Sequence, residues 1–351
     1  MVGVQVGDKG ETMKRKFWGR VVAPVVAALS VAALAQPADA AIRIGWRPTV
    51  LPLPSGGGTG VLTGSDGKGE YTGTFDVNGV QTVVSWRNGQ PVVRGVPSGY
   101  EAALAADENP SGVVAGTAHD YDTFVSRAFT LDATGFHLRD VPAGYDYVYG
   151  VAINARGDLL GRATQFGSDG AEATVLWRAD GSAPVLIPKT PDTYYARDLD
   201  EDGTILFDSG NRSGLWKDGV LRYLSPEPSL QAWGHAIRNG VVVGTAIRGG
   251  VEQAVRWSSA TSPWVALPGG GRALSVNKAG LTAGLVPNPS GPVIVGNAIV
   301  WRTTTPGEVR APSGYSKFEA RVAADDGSLA GFAANSAGDS YGVPVVWRLT
   351  P

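Results

Sequence analysis

A phrase about 43 residues long recurs seven times along the chain, and this period constrains the fold more than any other feature. Each copy holds several short apolar runs, one of which ends in Trp-Arg or an equivalent pair. The anchors are Trp46, Trp86, Phe129, Trp177, Trp216, Trp257, Trp301 and Trp347. Units of roughly 40 to 50 residues with several strands each are the signature of a β-propeller, because a lone blade cannot bury its own faces. The expected architecture is therefore all-β, a seven-bladed β-propeller, with six or eight blades as the alternatives.

The unit between Arg272 and Arg310 shows the pattern: ALSVN, a KAG turn, LTAGLV, a loop, NAIVWR, a turn and EVRAP. Four apolar runs separated by Gly, Asn, Asp and Pro read as four antiparallel strands, a to d. The c strands, such as Val83 to Arg87 and Ala298 to Arg302, are apolar on both faces, as stacked blades require. The chain opens with a c-like run at Trp46 and a d-like run at Thr49 to Leu53, and it stops just after a c strand at Trp347-Arg348-Leu349. The N-terminal strand Thr49 to Leu53 is thus expected to complete the C-terminal blade. This would close the ring and remove exposed sheet edges.

The first 40 residues read as an export signal: basic Lys14-Arg15-Lys16 and Arg20, apolar Val21 to Ala35, and a small-x-small site at Ala38-Asp39-Ala40. Met13 is an alternative start. The apolar run is shorter than the roughly 20 residues of a membrane span. A single domain over residues 41–351, secreted, extracellular, monomeric and without membrane insertion, is the expectation. A formal net charge of −2 gives no footing for nucleic acid. The absence of Cys excludes disulfides, a thiol nucleophile and thiolate metal sites.

Chemical motifs are sparse. Asp198-Leu199-Asp200-Glu201-Asp202-Gly203 resembles the start of a calcium loop, but its twelfth position is Ser209, and it aligns with the a-to-b turn of the preceding unit. Gly338-Asp339-Ser340-Tyr341-Gly342 matches a hydrolase elbow but falls between b and c strands, where that motif does not work. His119, His137 and His235 occupy different levels of the unit, so no metal site and no cofactor are assigned. The d-to-a connections do carry large side chains repeatedly. The resulting ligand-binding set is Tyr100, Tyr145, Tyr147, Tyr194, Tyr195, Trp233, His235, Arg272 and Tyr315, with Tyr149 and Phe318 beside them. Rings gathered on one rim suit sugar faces or a peptide. The competing reading is that the recurring Gly-Tyr of Gly99-Tyr100, Gly144-Tyr145 and Gly314-Tyr315 is a structural corner.

The phrases Arg127-Ala128-Phe129, Asn297-Ala298-Ile299 and Ala236 to Gly244 resemble the bacterial extracellular HAF-repeat proteins over nearly all of the chain from residue 41, although the His that opens that family's signature is missing in every copy. The resemblance implies a secreted propeller-like protein and supplies no catalytic residues. From the residues, the leading expectation is a non-enzymatic extracellular binding module for a glycan or protein. One alternative is a propeller-based glycoside hydrolase or lyase whose rim carboxylates, Glu101, Asp146 and Glu319, converge to the roughly 5 to 10 Å such chemistry needs. The other is a structural envelope-associated protein.

Overall fold

The short apolar runs, each cut off by Gly, Asn or Pro, form 28 strands and, among the described residues, no helix. The computed structural model describes residues 45–167, 170–209, 212–224, 231–287, 297–336 and 338–350. The signal-like segment 1–40 and the cleavage point before Ala41 lie outside them. Residues 57–95, 102–138, 147–188, 195–223 and 231–266 each form a four-stranded antiparallel sheet in sequence order, here sheets I to V. Sheet VI has eight strands. The four strands of residues 272–309 make its first half, and the strands of 317–350 with Gly45–Val50 make its second.

Gly45–Val50, labelled β1, joins the two halves. It runs antiparallel to Val343–Thr350, with Arg47 opposite Arg348, and parallel to Thr305–Val309, with Trp46 opposite Val309. An N-terminal strand therefore does complete the last group of strands, but its position differs from the expected Thr49 to Leu53. The last bond to Val343–Thr350 is from Leu51 N–H to the Pro344 carbonyl at 2.9 Å, and Pro52 and Pro54, which carry no N–H to donate, follow. Trp46 belongs to this outer strand and not to a c strand. Leu51 instead turns into a core shared by Leu62, Phe75 and Trp86 of sheet I with Ala330 and Val346 of sheet VI. Each sheet packs on the next and the last packs on the first, so the array is a β-propeller.

The anchors explain the repeat. Trp86, Trp301 and Trp347 are fully buried. Each donates its indole N–H to a carbonyl beyond the outer strand of the preceding group: Trp86 to Pro52 at 2.8 Å, Trp301 to Pro268 at 2.9 Å and Trp347 to Arg310 at 2.9 Å. The Trp thus fastens neighbouring sheets as well as filling the space between them. In two units a b-strand Gly makes room for it. A Cβ on Gly161 would lie 2.5 Å from the Trp177 ring, and one on Gly284 would lie 2.7 Å from that of Trp301.

The innermost strands share a second device. Each contains a register shift at an equivalent point, at Leu62/Gly64, Ala105/Asp107, Gly150/Ala152, Ala196/Asp198, Gly234/Ala236, Ala273/Ser275 and Ala320/Val322, and the first of them has a second one at Gly57/Gly60. A bulge leaves one residue unpaired and re-aims its side chain. The skipped residues are Thr63, Ala106, Val151, Arg197, His235, Leu274 and Arg321, and all of them line one cavity.

Candidate functional site

That cavity, about 190 Å³ in volume, runs along the inner strands toward the a-to-b turns at Pro110 and Asp325. The residue following each bulge faces the next sheet. Where it is polar, it accepts a hydrogen bond from that sheet's backbone: Asp107 from Ile153 N–H at 3.0 Å, Asp198 from Ile237 N–H at 2.7 Å, and Ser275 from Ala323 N–H at 3.0 Å. Asp107 and Asp198 also accept the N–H of the residue that follows each of them, both at 2.8 Å. The two carboxyls are thereby fixed in equivalent positions on the wall of one cavity.

Their surroundings favour the proton. Asp107 is raised to about 6, chiefly by burial and against the pull of its backbone donors and the Arg238 charge. Asp198 is raised to about 7, by burial first and then by the negative charge of Asp107. Two like charges facing one enclosed space cannot both ionise easily, so the pair exchanges its protons close to neutral pH. Arg238, which lies within range of both and pairs with Glu201, supplies the balancing positive field. Glu108, at the cavity edge, is raised to about 7 by burial despite its 3.1 Å ion pair with Arg87. His235 is lowered to about 4 by burial and the nearby cations, and its Nε2 meets Thr245 Oγ1 at 3.0 Å. At neutral pH it is an uncharged wall residue.

Beside the channel lies a recess of about 390 Å³, which shares Ala106 and Val151 with it and is walled by His119, Tyr149 and Arg162. An aromatic and cationic ledge extends from this recess. Tyr149 meets Tyr147 edge-on at 5.5 Å, Tyr147 meets Phe166 at 5.4 Å, and Tyr194 meets Tyr195 at 4.4 Å. The Arg162 guanidinium bridges the two groups, 5.1 Å from the Tyr149 ring and 5.8 Å from that of Tyr195. Lys189 sits 4.1 Å over Tyr194, and His119 is stacked on Tyr121.

The structure divides the residues expected at the rim. Tyr147, Tyr194 and Tyr195 stand on the ledge. Tyr100, Tyr145 and Tyr315 do not: their N–H groups donate to Pro97, Pro142 and Pro312, each at 3.2 Å, closing turns whose Gly99, Gly144 and Gly314 have φ of 83°, 88° and 84°. Only Gly adopts that backbone freely at the third turn position. The three rings pack against hydrophobic cores, so the Gly-Tyr corners are structural. Trp233 is half-buried opposite Thr245, and Arg272 is held by two 2.6 Å bonds to Glu252. The expected single aromatic surface therefore contracts to one sector, over sheets II to IV.

The rim carboxylates do not converge either. Glu101 accepts the Tyr121 N–H at 2.8 Å, Asp146 accepts that of Phe166 at 2.6 Å, and Glu319 is held between Lys317 and Arg321. The acidic run 198–203 is the a-to-b turn. Asp200 accepts the N–H groups of Asn239 and Gly240 at 2.7 Å while Asp198 faces Ile237, so their oxygens do not share a centre. Among the described residues, no group of three His, Cys, Asp or Glu side chains is placed to hold a metal ion. The reading from sequence missed Asp107 and Arg162, set Asp198 aside as part of a turn and set His119 aside as one of three histidines at different levels. A recurring polar residue just before the a-to-b turn, in Ala-Asp-Glu-Asn and Arg-Asp-Leu-Asp, was the available signal for the two aspartates.

No family model matches the chain, and no curated protein matches it. Solved structures do resemble it. A puromycin hydrolase is 15% identical over 76% of this chain and 48% of its own, with a TM-score of 0.51. A prolyl endopeptidase is 11% identical over 84% of this chain and 50% of its own, with a TM-score of 0.54. A polysaccharide lyase is 11% identical over 81% of this chain and 88% of its own, with a TM-score of 0.49. The chain spans about half the length of the first two, and the likeness is one of fold. The leading expectation from sequence, a non-enzymatic binding module, is thereby corrected: the two structures matched above a TM-score of 0.5 are a hydrolase and an endopeptidase, while at 15% and 11% identity the likeness itself shows the fold alone.

Proposed function

We propose that the protein is a glycoside-cleaving enzyme that uses Asp107 and Asp198 as its proton-transferring pair. Counting the halves of sheet VI as separate blades gives a seven-bladed propeller with both carboxyls on its central channel. The observation that carries the reading is this pair, in matching register on one cavity wall with proton affinities displaced to neighbouring values near neutrality. Hydrolysis needs one protonated and one ionised carboxyl at the same pH. Protonated Asp198 gives its proton to the glycosidic oxygen as the bond to the anomeric carbon breaks. Ionised Asp107 takes a proton from the attacking water, whose oxygen bonds that carbon, so the products together contain the substrate plus one water. A cavity of about 190 Å³ is below the roughly 300 to 1,000 Å³ of sites that enclose larger ligands, so the channel admits a chain end and the adjoining recess holds the remainder. The export-like N-terminus and the HAF-like repeats support an extracellular glycan as the substrate.

The test is reducing-end release from a panel of extracellular glycans, with ultraviolet absorbance of the products monitored to detect elimination. Activity is expected to follow a narrow bell with limbs near pH 6 and pH 7. Asp107→Asn and Asp198→Asn should each lower the rate by about 10² or more, and Glu101→Gln should leave it unchanged. Wild-type turnover in both Asp variants, or no cleavage of any glycan by the wild type, would overturn the reading.

A further inference from the structure

The ledge beside the channel contains an uncompensated charge. Lys189 is neutralised by Glu172 at 2.7 Å, and Arg197 by Asp208 at 2.7 Å. Arg162 lies between them, over the Tyr149 and Tyr195 rings, and among the described residues no carboxylate pairs with it. Its Nε is buried and has no hydrogen-bond partner. Arg162 is half-buried on the recess wall, and an Nε–H held out of water without an acceptor costs free energy, which a carboxylate bound to this guanidinium would offset. The neighbouring rings are flat: Tyr149, Tyr195 and, 6.0 Å from Tyr149, the His119 imidazole.

From this juxtaposition we infer that the recess between sheets II and IV binds an acidic sugar, with the carboxylate of a uronate residue on Arg162 and the pyranose face on Tyr149 and Tyr195. The assignment of the ligand as a sugar rests on the glycoside-cleaving reading, whereas the carboxylate contact at Arg162 stands on the recess alone. A single unpaired cation, flanked by cations that already have partners, fits one charge per ligand unit. A densely charged polyanion such as nucleic acid would need a row of free cations. The recess opens beside Ala106 and Val151 of the channel, so a bound uronate would precede the unit that reaches Asp107 and Asp198.

The experiment is calorimetric titration of the full-length Asp107→Asn/Asp198→Asn variant, which holds substrate without consuming it, with oligogalacturonate, oligomannuronate and a glucuronate-containing oligosaccharide. The methyl ester of each serves as a sugar of the same shape without the charge. At least one acidic oligosaccharide should bind, with its ester weaker by about tenfold or more. Adding Arg162→Leu should remove that preference, Arg162→Lys should keep part of it, and Tyr149→Ala should weaken acid and ester alike. No binding of any acidic oligosaccharide, equal affinity for acid and ester, or an unchanged preference in the folded Arg162→Leu protein would each overturn the assignment. If Arg162→Leu does not fold, the Arg162→Lys protein and the ester comparison still decide. Acid-selective binding alongside wild-type cleavage in the Asp variants would refute the catalytic pair and leave Arg162 standing. Efficient cleavage restricted to neutral glycans would refute the uronate and leave the pair.

Discussion

Asp198→Asn is the smallest change that removes the charge facing the channel while keeping an oxygen able to accept the Ile237 N–H. In the native protein this carboxyl titrates near 7, against an ordinary 3.8, because burial penalises the anion and Asp107 repels it. A raised folded-state pKa means that the folded chain keeps a proton the unfolded chain has already released. Stability from this group is therefore fully present below about pH 4 and is lost as pH rises toward 7. At about 1.4 kcal/mol per pH unit the gap amounts to about 4 kcal/mol. Because the carboxyl opens onto the channel, water screens it, and about 2 kcal/mol is the expected effect.

The variant should then match the wild type near pH 4 and exceed it by about 2 kcal/mol at pH 8, measured by urea unfolding followed through the fluorescence of the buried tryptophans. His235 works in the opposite direction: its lowered pKa gives stability that is lost as pH falls from about 6.5 toward 4. It is present in both proteins and cancels in the difference. A gap that is the same at both pH values, or a wild type more stable than the variant at pH 8, would refute the placement of Asp198 in a charge-penalising site. The same variant should be catalytically silent. A gain in stability with a loss of turnover is the pattern expected where a group is held against its preference for function.

Trp301→Ala should cost about 3 to 5 kcal/mol, since it empties a fully buried site and removes the 2.9 Å bond to Pro268; a urea midpoint within error of the wild type would contradict the role of the anchor. Gly284→Ala places a Cβ 2.1 Å from the Arg272 carbonyl and should cost about 1 to 3 kcal/mol by the same assay, with an unchanged midpoint showing that the strands can part. Deleting residues 45–50 removes β1 and uncovers the edges of Thr305–Val309 and Val343–Thr350, so size-exclusion chromatography should show aggregates, and a monodisperse variant with an unchanged melting temperature would refute closure by that strand. Amino-terminal sequencing of protein from culture medium should begin at Ala41; a chain still carrying residues 21–35 would contradict the export reading.

The parts of the structure that were legible in the sequence are those written in local periodicity. Trp86, Trp301 and Trp347 recur at one spacing and alternate with apolar neighbours, so strand, burial and repeat could all be read from residue types. The bulges could not, because a register shift depends on which residue lies opposite on the next strand. Asp198 therefore read as part of a turn, Asp107 had nothing to single it out, and the channel they share was invisible. The closing strand was legible in kind and displaced in position.

The aromatic residues show where a finer local reading was possible. Tyr100, Tyr145 and Tyr315 all follow Pro-x-Gly, in Pro97-Ser98-Gly99, Pro142-Ala143-Gly144 and Pro312-Ser313-Gly314, and this is the chemistry of a turn with a left-handed third residue. Tyr147, Tyr149, Tyr194 and Tyr195 follow no such sequence, so nothing local requires their rings, and they are the ones collected on the ledge. An aromatic whose position is explained by its own turn is weak evidence for a ligand, whereas one without a local reason points to a contact made elsewhere. Arg162 extends the same logic to charge. Its neighbours Lys189 and Arg197 have partners within the fold and need no ligand to account for them. The unpaired Arg162 between them is the residue whose placement an external anion would explain.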